Sequence, residues 1–343
     1  MADKQTTVSR DLTVKERFRL TKFLTRWEMI LVYLLILVNL MLAVSRPSLY
    51  MSEGTITAII ESGMDIGPIA LGMILVMILG NIDTSVASIM ILASMVTGFM
   101  CEAGLPVPLC ILAMLLVGCI CGLVNGLMVT YAKMPSIIAT LATQMFFRGL
   151  VEVILNTATL NTFPSFYAVA ACEDIAGVPV SMLIFIVLSL LFFWILHVSD
   201  FGRKIYLVGN NPTTAFYSGI SVNKVTIAVY VISGFMSAFA SILFVGRMGG
   251  GISPSMGTGY EMNAIAVCVL GGVSPNGGKG KIYGPFIGTF IMTFLIYSLG
   301  LMGVEANTRK TVIGIILLVA VMIPNIRQYA KELKGVFREA RHQ

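Results

Sequence analysis

Apolar residues run along this chain in long blocks separated by short polar stretches. The blocks fall at 29–45, 66–80, 85–100, 108–130, 137–155, 179–198, 225–246, 262–273, 282–302 and 311–326. A helix crossing the hydrocarbon core of a bilayer needs about 20 predominantly apolar residues. The pattern therefore predicts an all-α polytopic membrane protein with about ten transmembrane helices. Several blocks are short of that length, and 262–273 is the shortest of them.

Composition reinforces the pattern. Of 343 residues 57% are hydrophobic and 12% charged, with a mean hydropathy of +0.90, more apolar surface than a soluble interior of this size can hide. Residues 1–28 are charged and lack the short apolar core and small-residue cleavage site of a removable signal, so this segment is expected to be retained. Lys and Arg are held on the cytoplasmic side of a membrane. With the N-terminus inside and ten spans, most of the 23 basic residues fall on inner segments, among them Lys133, Arg203, Lys204, Lys224, Lys279 and Lys281, whereas Arg46, Arg247, Arg309 and Lys310 fall outside. Both termini are thus expected in the cytoplasm. The domain reading is a cytoplasmic N-terminal segment at 1–28, a transmembrane domain at 29–326 with an inner loop at 199–224, and a basic cytoplasmic tail at 327–343.

The net charge of +6 is explained by this topology, and no clustered basic residues with interleaved aromatics suggest a nucleic-acid partner. The six cysteines include no C-x-x-C pair and lie mostly inside apolar blocks, which reads as packing. Pairing of Cys101 with Cys172 on the outer side stays open. His197 and His342 are too few and too isolated for a metal site. No catalytic set and no cofactor motif are found.

Small residues recur every four positions at Gly118, Gly122 and Gly126, and again at Gly284 and Gly288. In lipid, such faces let helix backbones approach closely, so helix packing is the expected role.

The inner loop carries local helix signals. Asn211 is a good N-cap, Pro212 suits the first helical position, and Gly219 suits the left-handed residue that ends a helix. The helix between them holds Thr213, Thr214, Ala215, Phe216, Tyr217 and Ser218. Two turns are not stable alone, so this helix must rest on its own bundle or on a soluble partner.

Polar groups at membrane depth are costly and become candidates for a solute path. They are Asp83, Asn125, Thr140, Thr143, Gln144, Arg148, Glu261 and Asn263. Arg148 and Glu152 stand at i and i+4, placed to neutralise each other. Interhelical hydrogen bonding is the competing role for the amides and hydroxyls, helix capping for Asp83, and an outer gate for Glu261 beside the Gly-rich 247–260 loop.

The run Phe201 to Gly234, with Gly202 Arg203, Gly209 Asn210, Ala215, Ser218 Gly219 Ile220, Lys224 and Ser233 Gly234, resembles the coupling loop of the ribose and galactoside class of ABC sugar permeases. Ile82 Asp83 with Ser85 Val86 and Ser88 resembles that family's G-I-D-L-S-V-G-S segment, and Asn125 Gly126, Pro135, Thr140 Leu141 and Arg148 Gly149 resemble its next stretch. Glu261, Ile265 Ala266, Gly271 Gly272, Gly277 Gly278, Gly280 and Gly284 resemble its closing G-Y-E-x-x-A-I-A and G-G-x-S-x-x-G-G-x-G segments. The resemblance covers roughly residues 29 to 325. Asn81, Thr84, Ala87 and the Pro324 Asn325 ending depart from it, which bears on the solute more than on the class.

The resemblance implies a permease domain at 29–326 in a bacterial inner (plasma) membrane, importing a monosaccharide or related small sugar by alternating access. It implies cytoplasmic ABC ATPase subunits docking on 211–219, a periplasmic or lipid-anchored solute-binding protein, and a second permease subunit, identical or paralogous, within membrane lipid. The chain has no phosphate-cradling G-x-x-x-x-G-K-[ST] loop, so hydrolysis is expected in a partner. The glycines at 271, 272, 277, 278 and 280 read as tight turns and close approach. An ion-coupled secondary transporter remains as the alternative; it would need a buried carboxylate relay, for which Asp83 and Glu152 are the available groups. A membrane enzyme would need a clustered catalytic set.

Overall fold

At the centre of the molecule stands a helix with no exposed side, Ile66–Ile78, every residue of which is buried. The computed structural model in which it is seen describes residues 27–315 apart from 53 and 306, together with 318 and 322. Most of the N-terminal segment, the whole basic tail and most of the tenth apolar block lie outside the described residues.

In chain order the helices are α1 (Trp27–Ser45), α2 (Pro47–Tyr50), α3 (Thr55–Glu61), α4 (Ile66–Ile78), α5 (Val86–Glu102), α6 (Val107–Thr130), α7 (Ser136–Leu155), α8 (Ser165–Cys172), α9 (Val180–Phe193), α10 (Asp200–Asn210), α11 (Pro212–Tyr217), α12 (Val222–Arg247), α13 (Tyr260–Leu270) and α14 (Tyr283–Leu301). A π-helical turn, Trp194–Val198, extends α9, and residues 307–315 are again helical. A two-stranded hairpin, β1 (Asp174–Ile175) and β2 (Val178–Pro179), turns through Ala176 and Gly177, both at positive φ, as such a tight hairpin requires.

Nine of the ten apolar blocks therefore hold a helix and the tenth opens in one, and the described residues are all-α apart from that hairpin. Five helices are long and apolar enough to cross a membrane, and a sixth span results if α3 and α4 are one span bent by 42°. Helices α5 and α13 are apolar but shorter. Short helices are tolerated in the middle of a membrane bundle because protein, and not lipid, surrounds their ends.

The layering explains the sequence. Helices α4 and α5 and much of α12 and α13 are buried, while α6, α7 and α9 bury only one face. Their outward faces carry large apolar side chains, including Leu112, Leu116, Ile120, Met145, Phe146, Val153, Val187 and Leu190. A water-facing helix would carry polar groups there; this surface is built for lipid.

Helix α12 is the hub, about 39 Å long at 1.5 Å per residue, packed against α4, α5, α6 and α8. The glycines expected to pack do so. A Cβ on Gly118 would meet the Gly234 carbonyl, one on Gly122 the Tyr230 carbonyl, and one on Gly126 the Ile227 Cα; Gly284 and Gly288 lie likewise against Gly271 and Val267. All six cysteines are free thiols, so the Cys101–Cys172 bridge left open by the sequence is not formed.

Candidate functional site

Among the described residues three polar constellations interrupt this apolar bundle, one in its interior, one at the Asp65 end of α4 and one at its Ile78 end.

The interior one begins where α4 ends. Residues 81–84 are non-helical, and their freed backbone must find partners away from water. Asp83 Oδ1 accepts the Ser85 amide (3.0 Å) and the Ser85 hydroxyl (2.6 Å), which starts α5. Its Oδ2 accepts the Ser233 hydroxyl of α12 (3.0 Å). Asn125 of α6 donates to Ser85 Oγ (2.7 Å) and accepts from Thr143 Oγ1 of α7 (2.7 Å). Thr140 donates to the carbonyls of Ser136 (2.9 Å) and Ile82 (3.2 Å) and receives the Thr84 hydroxyl (3.2 Å). Asp83, Asn125 and Thr140 have no exposure at all. Four of the eight polar residues singled out from the sequence thus converge, and they satisfy one another inside a single chain.

The other four lie elsewhere. Gln144 is half-buried. Arg148 does not pair with Glu152, contrary to the i, i+4 expectation. Its Nη1 donates to the carbonyls of Pro254 (2.8 Å) and Met256 (2.7 Å), while Glu152 is exposed. Two fixed carbonyls on the neighbouring loop outcompete a flexible carboxylate, because they hold the guanidinium without ordering a second long side chain. Glu261 is buried with Oε2 unpartnered, and Asn263 is half-buried.

The constellation at the Asp65 end of α4 was missed by sequence reasoning. Asp65 occupies the bend between α3 and α4 and is 1% exposed. Its Oδ2 accepts from Arg247 Nη2 (2.7 Å), Arg247 Nε (3.0 Å) and the Tyr260 hydroxyl (3.0 Å), and Arg247 also donates to that hydroxyl (2.5 Å). The available signal was depth: Asp65 immediately precedes the second apolar block and Arg247 immediately follows the seventh, so the expected topology puts opposite charges at the same level.

At the Ile78 end of α4, α10 and α11 form the polar loop. Ser199 caps α10 through the Gly202 amide (3.2 Å), and Gly202, Ile205 and Val208 make its buried face. Asn211 caps α11 by accepting the Thr214 amide (3.0 Å), Pro212 takes the first position and Gly219 has φ +81°. Ala215 is buried, whereas Phe216 is 66% and Tyr217 83% exposed, their rings edge to face with centroids 5.8 Å apart.

This loop is bolted to the centre of the bundle. The Gly278 amide donates to the last carbonyl of α4, Ile78 (2.8 Å). A Cβ on Gly209 would lie 1.8 Å from that same oxygen, and Gly277 packs its backbone on Gly209 and Gly80. The Tyr206 hydroxyl donates to the Gly280 carbonyl (2.5 Å); burial, with Tyr283 nearby, pushes its phenol up to about 12. Gly272, Gly277 and Gly278 all adopt positive φ, so the Gly-rich stretch is a set of turns fitted against α4 and α10.

A family model described as "Branched-chain amino acid transport system / permease component" matches residues 55–321. The chain is 33% identical over 275 residues to the autoinducer 2 import system permease protein LsrD of Escherichia coli (strain K12), which covers 78% of this chain and 83% of that protein. The LsrD proteins of Shigella flexneri and Escherichia coli O157:H7 match with the same identity and coverage. No solved structure matches. With three quarters of its length aligned to import permeases, the chain belongs to the permease-component family of ABC import systems, the family that its motifs around Asp83, Arg203 and Glu261 resemble.

Proposed function

We propose that this chain is the transmembrane permease subunit of an ATP-driven importer that carries a monosaccharide or a related small sugar across a bacterial inner membrane. Separate ATPase subunits supply the energy by docking on α11, and a solute-binding protein delivers the sugar to the outer face of this chain and a second permease subunit. The LsrD relatives are autoinducer 2 import permeases, which makes autoinducer 2 one member of the solute class.

The observation that carries the reading is the exposed Phe216–Tyr217 pair on a capped helix whose loop touches the end of α4 backbone to backbone. Two neighbouring aromatic rings turned to water cost free energy unless a partner covers them. A displacement of that loop meets the Ile78 carbonyl directly, at the break that the Asp83 network closes. Alternating access needs such a path from nucleotide cycle to bundle.

The ion-coupled alternative is less well supported, because the Asp83 carboxylate already accepts three hydrogen bonds within its own chain and Glu152 is exposed. Replacing both Phe216 and Tyr217 by Asp is expected to abolish copurification of the ATPase in detergent and to lower uptake at least about 100-fold, since aromatic anchors of this kind contribute about 2–4 kcal/mol each. ATPase binding and uptake unchanged by both substitutions would overturn the docking assignment.

A further inference from the structure

On the outer side of the bend between α3 and α4, two small cavities of about 140 and 130 Å³ adjoin through shared walls, Asn263 and Ile296. The first is lined by Gly63, Arg247, Tyr260 and Thr293 as well. Thr293 is 1% exposed and its hydroxyl has no hydrogen-bond partner. That hydroxyl lies against Gly63, where a Cβ would collide with it. Asp65, held behind Arg247 and Tyr260, keeps Oδ1 unpartnered at 1% exposure. A buried hydroxyl without a partner costs about 1–3 kcal/mol, so Thr293 Oγ1 in the wall of this cavity calls for a compensating ligand.

The charge balance selects the ligand. The Arg247 guanidinium and the Asp65 carboxylate neutralise each other within 2.7 Å, which leaves the first cavity lined by hydroxyl, phenol, amide and guanidinium groups with no net charge. Such groups match the alternating donors and acceptors of a polyol, while Ile296 and the Tyr260 ring offer apolar surface to its C–H face. The site also lies at a broken helix, where membrane transporters expose backbone polar groups to a solute.

We infer that this cavity, walled by Arg247, Tyr260, Asn263 and Thr293, is the outer recognition site at which the permease itself binds a neutral, multiply hydroxylated solute. The inference rests on the sugar-import reading and deepens it: recognition sits at the α3–α4 bend, apart from the Asp83 network.

The test uses the complete importer with D-ribose, D-galactose, L-rhamnose and autoinducer 2 as probes. In a Cys101→Ser, Cys172→Ser background, Asn263→Cys places a thiol in the wall common to both cavities. Its rate of modification by a small methanethiosulfonate reagent is expected to fall at least about fivefold in the presence of whichever probe the unsubstituted complex accumulates, as a hydrogen-bonded occupant of modest affinity requires. Adding Thr293→Val is expected to abolish that protection without changing the unprotected rate; Thr293→Ser is expected to retain it. A thiol that does not react, or reacts equally with and without the accumulated sugar, overturns the site while leaving the import function standing. Accumulation of none of the probes by the unsubstituted complex overturns the import reading and the site with it.

Discussion

Asp83 and Asp65 show how a carboxylate is kept inside a lipid-facing protein. Each is almost wholly buried, and each is met by three donors, hydroxyls and an amide for Asp83, a guanidinium and a phenol for Asp65. Hydrogen bonds to charged groups are worth about 1.5–3 kcal/mol apiece, enough together to offset much of the desolvation. Tyr206 is the corresponding neutral case at the Ile78 end of α4. Tyr206→Phe is expected to lower stability by about 1 kcal/mol through the lost bond to Gly280. Since the folded-state phenol value is raised above the ordinary 10.0 to about 12, that contribution is present in full below the unfolded value and fades only as pH rises through the folded one. The melting-temperature offset between the two proteins is therefore expected to be equal at about pH 6 and about pH 9, measured in detergent. The polar residues of the interior network could be picked out from sequence because hydrocarbon penalises them. Their partners could not, since Ser85 and Asn125 lie 40 positions apart and Asp83 and Ser233 lie 150 apart.

Helices in this bundle meet through glycine at Gly118, Gly122, Gly126 and Gly284, and the same device joins the α10–α11 loop to the core. Gly209 is the position where it bears most on function. A Cβ there would overlap the Ile78 carbonyl, and overpacking of this kind costs about 1–3 kcal/mol. Gly209→Ala is expected to leave ATPase binding to α11 intact and to reduce ATP-driven uptake at least about tenfold, an effect that about 1.4 kcal/mol suffices to produce. Parallel measurement of hydrolysis and uptake checks it; uptake at the unsubstituted rate would show that the contact transmits nothing. Helix α11 itself was legible because its determinants, Asn211, Pro212 and Gly219, lie within nine consecutive residues and act locally. The bend between α3 and α4 was not, because residues 62–65 look like the polar edge of an apolar block until α12 and α13 supply Arg247 and Tyr260 to hold Asp65 there.

The described part of the molecule is a membrane bundle with buried central helices and an apolar outer ring, and the distribution of basic residues predicts an orientation with the α10–α11 loop inside. That orientation puts the exposed Cys172 outside. An impermeant maleimide is expected to label the protein in right-side-out membrane vesicles and to lose that labelling on Cys172→Ser; labelling confined to inside-out vesicles would invert the topology. By itself the sequence determined the solvent, the all-α class, the helices of nine apolar blocks and α11, the glycine contact faces and the family, because each follows from composition, period or motifs read along the chain. Tertiary structure alone decided that Arg148 binds loop carbonyls in place of Glu152, that Asp65 pairs with Arg247, and that α4 carries no lipid-facing side. Those outcomes depend on which groups arrive from distant segments at the same depth, and burial in a low-dielectric interior makes the choice of partner, more than the presence of the polar residue, set the energy.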